Sequence, residues 1–524
     1  MIIGRPHLFT QCLLILQLLT GSPTSTNADE NTPDPPLPKQ AAPEDVYRPT
    51  VVPDRIVLTW TGDPSTTQAV TWRTSTDVAR GLAEIAIAGA EPNFNSNAIS
   101  VQAATQVLKS NLSTAHFHTA EFTSLQPSTR YAYRVGDGNN WSEWFHFSTA
   151  SARSQPFSFV YFGDAQNNLR SMWSRVIREA YRDAPRLSFF LHAGDLINSA
   201  ESDAEWGEWF HAGGWINGMV PSLAVPGNHE QGKDDEGNRR LSHHWRPSFA
   251  FPENGPPGLE ESCYTLVHQG VRIIALNSNE KLQEQTEWLE QVLKDNTHKW
   301  VICTFHHPIY STGNGRDNAA MRGLWKPLFD RYHVDLVLQG HDHTYGRTGL
   351  ETPLVDSSGK PLSEENQPGG LNARDHRTGT VYVVSVSGPK MYTMQRFPFM
   401  SRQAEFTQLY QVISIDGDTL KFEARTAVGE LYDAFTLKKH DGQINELIEQ
   451  TPGTPERLKP PEMIAAENQS RVDAYLKKYD MNKDRMLTLE EVPKTEHAAF
   501  RVADKDSDGI LTAAELLETL AVRR

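Results

Sequence analysis

The sequence predicts a multidomain chain in three parts: an all-β sandwich, a four-layer α/β sandwich with mixed sheets, and a small all-α domain. Short β-like runs separated by turn residues fill 54–150, and strands alternate with helical stripes over 155–438. A helix-like run and two acidic loops fill 463–524. With 524 residues, 38% of them hydrophobic, the chain is long enough to build several large cores.

The chain is acidic, with 65 Asp and Glu against 50 Lys and Arg and a formal net charge of −15. It lacks the excess of basic residues that neutralises a phosphate backbone, so we expect no nucleic-acid binding, although a local basic pocket is compatible with this total. The oligomeric state is unknown from the sequence.

The first 28 residues have the composition of a secretory signal peptide. Arg5 precedes an apolar stretch from Leu8 to Leu19, which is too short to span a membrane, and small residues follow it. The alternative is a buried N-terminal helix. Residues 29–53 are rich in proline and typical of an extended linker. We therefore expect a secreted protein, periplasmic or extracellular, without a membrane span. In it, Cys263 and Cys303 are expected as buried free thiols rather than as a disulfide.

Residues 54–150 predict a β-sandwich of about seven strands. Ile56 to Trp60, Ala69 to Trp72 and Tyr131 to Val135 are strand-like, and turns such as Gly62-Asp63-Pro64 separate them. A β-barrel would give the same pattern, so that alternative stays open.

Residues 155–438 predict the α/β sandwich. Phe157 to Phe162 is strand-like, and an apolar stripe at helical spacing follows from Leu169 to Ala180. A linker is predicted at 439–462. Further strands are predicted near 187–192, 222–225, 271–277, 300–305, 334–338, 380–387, 408–415 and 419–425.

Six polar side chains each follow a strand-like run of this region. Loops after strands converge on one edge of such a sheet, and a glycine before a ligand permits a tight turn. Asp, Asn and His together suit borderline divalent metals, and this number of donors suits two metals that share a carboxylate. The six candidate metal ligands are Asp164, Asp195, Asn228, His306, His341 and His343.

The local motifs around these residues stand in a fixed order: Gly163-Asp164, Gly194-Asp195, Gly227-Asn228-His229-Glu230, His306-His307-Pro308 and Gly340-His341-Asp342-His343. This order resembles the calcineurin-like metallophosphoesterases and, within them, the purple acid phosphatases. The resemblance covers about 55–437, and the segment 117–147 is similar to the fibronectin III-like N-terminal domain of that family.

The resemblance implies a role for each candidate residue. Asp195 would bridge the two metals, and Asp164 and His343 would bind the first. His229 would lie near the phosphate, where it stabilises developing charge or protonates the leaving oxygen. His307 would be a neighbour rather than a ligand. The second metal would be bound by Asn228, His306 and His341.

The sequence departs from the family at two positions of the first metal. The usual Gly-Asp-x-Gly is here Gly163-Asp164-Ala165-Gln166, and the tyrosine that binds ferric iron is replaced by Asn198. Without a phenolate we expect no purple colour, a preference for Zn, Mn or Fe(II), and a pH optimum nearer neutrality. Gln166 or Asn198 would offer a neutral oxygen in its place. Arg316 either contacts phosphate or is a solvated loop charge.

The resemblance implies a hydrolase acting on phosphoric ester bonds. Phosphate monoesters would be hydrolysed in line through a dinuclear centre and a metal-bound hydroxide. One alternative is a phosphodiesterase of the same fold, because the motifs specify the metals and not the leaving group. Another alternative is a catalytically inactive, calcium-dependent binding protein. The natural substrate is not indicated.

The C-terminal part resembles an EF-hand pair. Oxygen-bearing side chains stand at loop positions 1, 3, 5 and 12 of both acidic segments, as a Ca²⁺ loop requires. Position 6 is Gly509 in the second loop but Arg485 in the first, which should strain that turn. The alternative is a solvated acidic tail. The candidate calcium ligands are Asp480, Asn482, Asp484, Glu491, Asp504, Asp506, Asp508 and Glu515.

Overall fold

The computed structural model describes residues 40–522, apart from 235, 314, 315, 317, 351–378, 398, 441 and 442. The predicted signal peptide and the first part of the proline-rich linker lie outside the described residues. The rest of that linker contains one helical turn, α1 (Pro43–Val46). No helix in the described ranges is both long and apolar enough to cross a membrane.

The N-terminal domain is a sandwich of two antiparallel four-stranded sheets, ordered β1-β2-β6-β5 and β4-β3-β7-β8, and not a barrel. It has eight strands where about seven were predicted, because Ala103 divides one extended run into two strands that join different sheets. Trp72, Phe122, Tyr133 and Phe147 are buried between the sheets. The strands are β1 (Asp54–Thr59), β2 (Gln68–Ser75), β3 (Leu82–Ile87), β4 (Ile99–Gln102), β5 (Ala104–Lys109), β6 (Thr114–Phe122), β7 (Arg130–Gly136) and β8 (Phe145–Ser148).

The next part of the chain alternates strands and helices. Its first half consists of β9 (Phe157–Phe162), α2 (Ser174–Asp183), β10 (Phe190–His192), α3 (Asp203–Gly213), β11 (Ser222–Ala224), β12 (Gln231–Lys233), β13 (Arg239–Leu241), α4 (Trp245–Ser248), β14 (Tyr264–His268) and β15 (Val271–Ala275). Its second half consists of α5 (Leu282–Lys294), β16 (Trp300–Thr304), α6 (Ala319–Arg331), β17 (Leu336–Gln339), β18 (Tyr345–Thr348), β19 (Val381–Val384), β20 (Met400–Ala404), β21 (Leu409–Asp416), β22 (Thr419–Thr426), β23 (Leu431–Lys438) and β24 (Glu446–Glu449).

Fourteen of these strands form two mixed seven-stranded sheets, and β12 and β13 pair separately as a two-stranded sheet. The first sheet has the order β11-β10-β9-β21-β22-β23-β24, and the second has the order β14-β15-β16-β17-β19-β18-β20. The strands β9, β10 and β11 are parallel to one another in the first sheet, as are β15, β16 and β17 in the second, and all of the candidate ligands follow strands of these two sets. Their carboxyl ends therefore lie at one edge of each sheet.

Alternate residues of the second sheet face two different cores, as the period of a strand requires. Ile302 and Leu338 belong to the large core shared with the first sheet, whereas Val301 and Val337 pack with α5 and α6. The two sheets thus face each other between helical layers, which is the α/β architecture that the sequence predicts. Cys263 and Cys303 are both buried and free, as expected.

Part of the segment predicted as the second linker, 439–462, belongs to the sheet instead. Strand β24 pairs with β23 at the sheet edge. Glu449 of β24 forms an ion pair with the buried Arg347, which also binds Asp433 of β23. The linker composition did not reveal this strand because four residues at a sheet edge carry little periodicity.

The C-terminal segment contains α7 (Pro461–Tyr479), β25 (Met486–Thr488), α8 (His497–Ala503), β26 (Ile510–Thr512) and α9 (Ala513–Val522). Its two short strands pair antiparallel, with Leu487 opposite Leu511. Both leucines are buried in a small core with Val472, Leu476 and Phe500.

Candidate metal centre

Each of the six candidate ligands lies just beyond the end of a strand, as the sequence predicts. Asp164 follows β9, Asp195 follows β10 and Asn228 follows β11, so three come from the first sheet. The remaining three, His306 after β16 and His341 and His343 after β17, come from the second sheet.

Glycines permit the close approach of these loops. Gly194 has φ = 84°, and a Cβ on it would lie 2.8 Å from His306 Nδ1. A Cβ on Gly340 would lie 2.2 Å from Asp164 Oδ1. Either contact is closer than packed atoms tolerate, so a larger residue would displace a candidate ligand.

Three of the candidate ligands themselves have left-handed backbones. The φ angles are 50° for Asp195, 76° for His341 and 50° for His343. Such conformations cost free energy in residues other than glycine and are concentrated at functional sites, where the surrounding structure holds them.

Two groups of donor atoms share one carboxylate. Asp164, Asp195 and His343 each place a donor atom within 4.8 Å of the others, and so do Asp195, His306 and His341. Asn228 Oδ1 lies 3.1 Å from His306 Nε2 in the second group. The structure therefore brings all six predicted residues together, with Asp195 common to both groups.

His343 and His306 direct Nε2 towards the donor atoms of their groups. His343 donates its Nδ1–H to the Lys390 carbonyl at 2.8 Å, and His306 donates its Nδ1–H to the Ala193 carbonyl at 2.9 Å. These hydrogen bonds direct the Nδ1 proton of each ring to a carbonyl, so that Nε2 would carry the lone pair when a metal replaces the remaining proton.

Acceptor atoms face one another inside the cluster. His343 Nε2 is 3.1 Å from Asp164 Oδ2, which is fully buried and has no hydrogen-bond donor among the described residues. Burial raises the pKa of Asp164 to about 7, with His306 opposing the shift and Asp195 adding to it. Burial alone would lower the pKa of His306, but Asp195 and Asp164 raise it to about 9. The cluster has the charge and the unpartnered oxygen that a cation site requires.

Gln166 lies within the first group, whereas the Asn198 side chain bonds elsewhere. The buried Gln166 amide nitrogen is 2.8 Å from Asp195 Oδ2 and 3.1 Å from His343 Nε2. Half a turn of this amide would present its oxygen to the same ligands. Asn198 Nδ2 instead approaches the Ser199 hydroxyl at 3.4 Å, while its carbonyl accepts the Nδ1–H of His229.

His229, His307 and Arg316 surround the second group. His229 donates its backbone N–H to Asp195 Oδ1 at 2.9 Å, and its Nε2 lies 4.0 Å from Asp195 Oδ2. The His307 ring is 4.3 Å from the His341 ring, and its Nδ1 meets the Ser278 hydroxyl at 2.8 Å. Arg316 donates to the carbonyl of His341 at 2.9 Å and pairs with Asp342 at 3.2 Å.

Glu230 is a functional residue to which the sequence analysis gave no role. Its buried carboxylate accepts the backbone N–H groups of Asp195, Leu196, Ile197 and Gly227 at 2.7–3.3 Å. It thereby holds the loop that carries the shared carboxylate. Its place at the end of the Gly-Asn-His-Glu motif was the available signal, since a buried carboxylate beside a ligand needs several donors.

The two acidic C-terminal loops are compared by the arrangement of their carboxylates and by the residue at their tight turn. In the second loop, Asp504, Asp506 and Glu515 bring carboxylate oxygens within 4.8 Å of one another. Asp504 Oδ1 is buried without a hydrogen-bond donor among the described residues. In the first loop, Arg485 has φ = 64° where the second has Gly509 at φ = 83°, so the turn that favours glycine is present in both.

Two parts of the chain match known protein families. A family model for calcineurin-like phosphoesterases matches residues 157–345, and one for the purple acid phosphatase N-terminal domain matches residues 53–149. A purple acid phosphatase from yellow lupin (Lupinus luteus) has a similar fold, with a TM-score of 0.61 and 19% identity. The match covers 74% of this chain and 75% of the lupin chain.

Two relatives show the same similarity in sequence. An uncharacterized protein of Mycobacterium tuberculosis is 27% identical over 364 residues, which cover 62% of this chain and 67% of the relative. Purple acid phosphatase 15 of Arabidopsis thaliana is 27% identical over 274 residues, covering 45% of this chain and half of the plant protein.

The chain is therefore a phosphoric ester hydrolase. More particularly, it carries a purple acid phosphatase N-terminal domain ahead of a calcineurin-like phosphoesterase domain, and purple acid phosphatases are its homologues. A metallophosphoesterase domain implies a dinuclear centre of divalent metals, for which the two Asp and His groups are the candidate sites.

Proposed function

We propose that the protein is a secreted phosphomonoesterase with a dinuclear metal centre. Asp195 would be shared by both metals, and Asp164 and His343 would hold the first with it. The observation that carries the proposal is the shared position of Asp195 in two overlapping donor groups. Asn228, His306 and His341 would hold the second metal.

Two divalent metals in these groups would orient the phosphoryl oxygens, supply the nucleophile and offset charge in the transition state. The side chains around them hold and move the remaining charge and protons. His229 is half-buried, and its ring is oriented by the hydrogen bond from Nδ1 to the Asn198 carbonyl. Its protonated Nε2 would then donate to the leaving oxygen, a contribution typically of about 10²–10⁴-fold in rate.

Gln166 would take the place of the missing phenolate at the first site. An amide is a neutral oxygen donor, so the first site carries less negative charge than one with a tyrosinate. This favours Zn, Mn or Fe(II) over ferric iron. The Gln166 amide nitrogen lies beside Asp195 and His343, and half a turn of the amide would put its oxygen there, which supports Gln166 rather than Asn198 at this position.

The proposal is tested by hydrolysis of p-nitrophenyl phosphate and bis(p-nitrophenyl) phosphate by protein loaded with Zn, Mn or Fe. Asp195→Asn should lower kcat/KM by about 10³-fold or more, because both metals lose a shared ligand worth several kcal/mol. The exposed Asp416→Asn is the matched control and should retain activity.

A preference for the monoester supports the proposal, and a preference for the diester supports the phosphodiesterase alternative. Folded, metal-loaded protein that hydrolyses neither ester would overturn the proposal and favour the inactive binding protein. Secretion is tested separately by N-terminal sequencing of exported protein, and a mature chain that still begins at Met1 would contradict it.

The C-terminal segment is proposed to bind Ca²⁺ as an EF-hand pair. Support comes from the pairing of β25 with β26, the clustered carboxylates of the second loop and the unpartnered Asp504 oxygen. Calorimetric titration with Ca²⁺ should show a tighter site that is lost in Glu515→Gln. A weaker site should be lost in Glu491→Gln, because Arg485 occupies a turn that favours glycine. Unchanged heats in both variants would indicate a solvated acidic tail.

A further inference from the structure

Lys390 lies in a segment that is hydrogen-bonded to Asp164 and His343, the two candidate ligands of the first site other than the shared Asp195. Its carbonyl accepts the Nδ1–H of His343 at 2.8 Å, and the Gly388 N–H donates to the Asp164 carbonyl at 2.6 Å. The segment follows β19, which is next to β17 in the second sheet. The backbone of Lys390 is therefore fixed relative to the candidate metal centre.

The side chain of Lys390 turns towards the same centre. Its Nζ lies 3.3 Å from Gln166 Oε1, and the Gln166 amide nitrogen contacts Asp195 Oδ2 at 2.8 Å. With the amide in this orientation, one amide group separates the ammonium from the shared carboxylate. If Gln166 turns its oxygen towards a metal, Lys390 loses this acceptor and its ammonium is left available to a substrate oxygen. Other poorly exposed lysines have acidic partners at close range, 2.6 Å for Lys326 and 2.5 Å for Lys439. Among the described residues, no carboxylate lies at ion-pair distance from Lys390.

An aromatic ring connects Lys390 with the opposite side of the site. The Tyr392 ring is 4.5 Å from the His343 ring, 5.6 Å from Lys390 Nζ and 5.0 Å from the Arg316 guanidinium carbon. Arg316 is already paired with Asp342. Of the two positive charges beside this ring, that of Lys390 therefore has no anionic partner among the described side chains.

We infer that Lys390 is a substrate-positioning residue whose ammonium binds a phosphoryl oxygen and favours dianionic monoesters over monoanionic diesters. The inference rests on the proposed function and names the basis of its specificity. Near pH 7 a phosphate monoester carries almost two negative charges, whereas a diester carries one and has an organic group on a further oxygen. A half-buried ammonium gains more from the dianion.

The test uses the metal-saturated full-length protein and its Lys390→Gln and Lys390→Arg variants. Lys421→Gln serves as control, because that exposed lysine lies on β22 and pairs with Glu423. Metal content is measured first, since a lysine that only holds Gln166 would alter loading of the first site. Binding of inorganic phosphate is then measured by calorimetry, and kcat/KM is measured for both p-nitrophenyl esters.

Lys390→Gln should bind phosphate roughly tenfold more weakly, the usual effect of losing one charge-assisted hydrogen bond. Its kcat/KM should fall about tenfold for the monoester and less than about threefold for the diester, with two metals retained. Lys390→Arg should recover most of both losses, and Lys421→Gln should match the wild type.

Equal losses for the two esters, or unchanged phosphate affinity at full metal content, would overturn the assignment. Loss of metal without a selective loss of phosphate affinity would also overturn it and leave Lys390 a support for Gln166. A wild type that hydrolyses neither ester would defeat the proposed function, while the phosphate titration of the variants would still decide the role of Lys390.

Discussion

Replacing His192 with leucine is expected to reduce the sensitivity of the protein to acid. His192 ends β10, three residues before Asp195, and it is 1% exposed. Its ring centroid lies within 6.1 Å of those of Phe162, Trp173 and Trp209. Neither ring nitrogen has a hydrogen-bond partner in the described part of the chain. Burial therefore lowers the pKa of His192 from 6.5 to about 3.

The direction and size of the effect follow from this shift. The folded protein keeps the ring neutral, whereas the unfolded chain takes up a proton below pH 6.5. The stability contributed by the neutral ring is complete above pH 6.5 and is lost as the pH falls towards 3. At pH 5 the loss is about 2 kcal/mol, from 1.5 pH units at 1.36 kcal/mol each. Leucine has a similar volume and no titrating group.

The assay is urea unfolding of metal-saturated protein at pH 7 and pH 5, followed by tryptophan fluorescence. Metal saturation matters because Asp164, whose pKa burial raises to about 7, would otherwise titrate between the two pH values. Between the two pH values the wild type should lose about 2 kcal/mol more free energy of unfolding than His192→Leu. His243→Leu, at a histidine whose side chain is 57% exposed, should follow the wild type. Equal losses in wild type and His192→Leu would refute the reasoning.

Three further outcomes are expected. Gly340→Ala should lower the metal content well below two per chain, because its Cβ would meet Asp164 Oδ1 at 2.2 Å. Gly323→Ala is the control and should keep its metal content, because no atom lies within 4 Å of the added Cβ. Elemental analysis measures the metal content of both variants. Full metal loading of Gly340→Ala would contradict the expected clash with Asp164. Iron-loaded wild type should lack the visible absorption of an iron–phenolate pair, since Asn198 replaces the tyrosine. The pH–rate profile should peak nearer neutrality than that of a ferric enzyme, and a sharply acidic optimum would argue against a divalent pair.

The fold was predictable where one period dominates the sequence. The apolar run 157–162 predicted β9 with its bounds, and the helical stripe after it predicted α2, although the first turn, Leu169–Trp173, is a wider π-helical turn. The split of 99–109 at Ala103 was not predictable, because β4 and β5 are mostly exposed and the choice of sheet depends on distant partners. Strand β24 was not predictable either, because four residues at a sheet edge carry little periodicity.

The candidate centre was predictable because its six donors stand directly after strands and next to glycines. What the sequence could not give was the support around them. Glu230 acts through four backbone N–H groups, and their convergence depends on how two loops pack. Lys390 reaches the site from a segment more than two hundred residues beyond Gln166, with no local pattern to mark it.

The candidate metal ligands are divided between the two sheets, and this division determines whether folding or metal binding comes first. Each donor group draws on both sheets, since Asp164 and Asp195 meet His343, and Asp195 meets His306 and His341. Neither sheet alone holds a full set of metal ligands before the two sheets pack together. Metal binding is therefore expected as a late step of folding. A chain that completes folding after export would take its metals from the surrounding medium. The metal supplied during refolding would then decide which form of the enzyme is obtained.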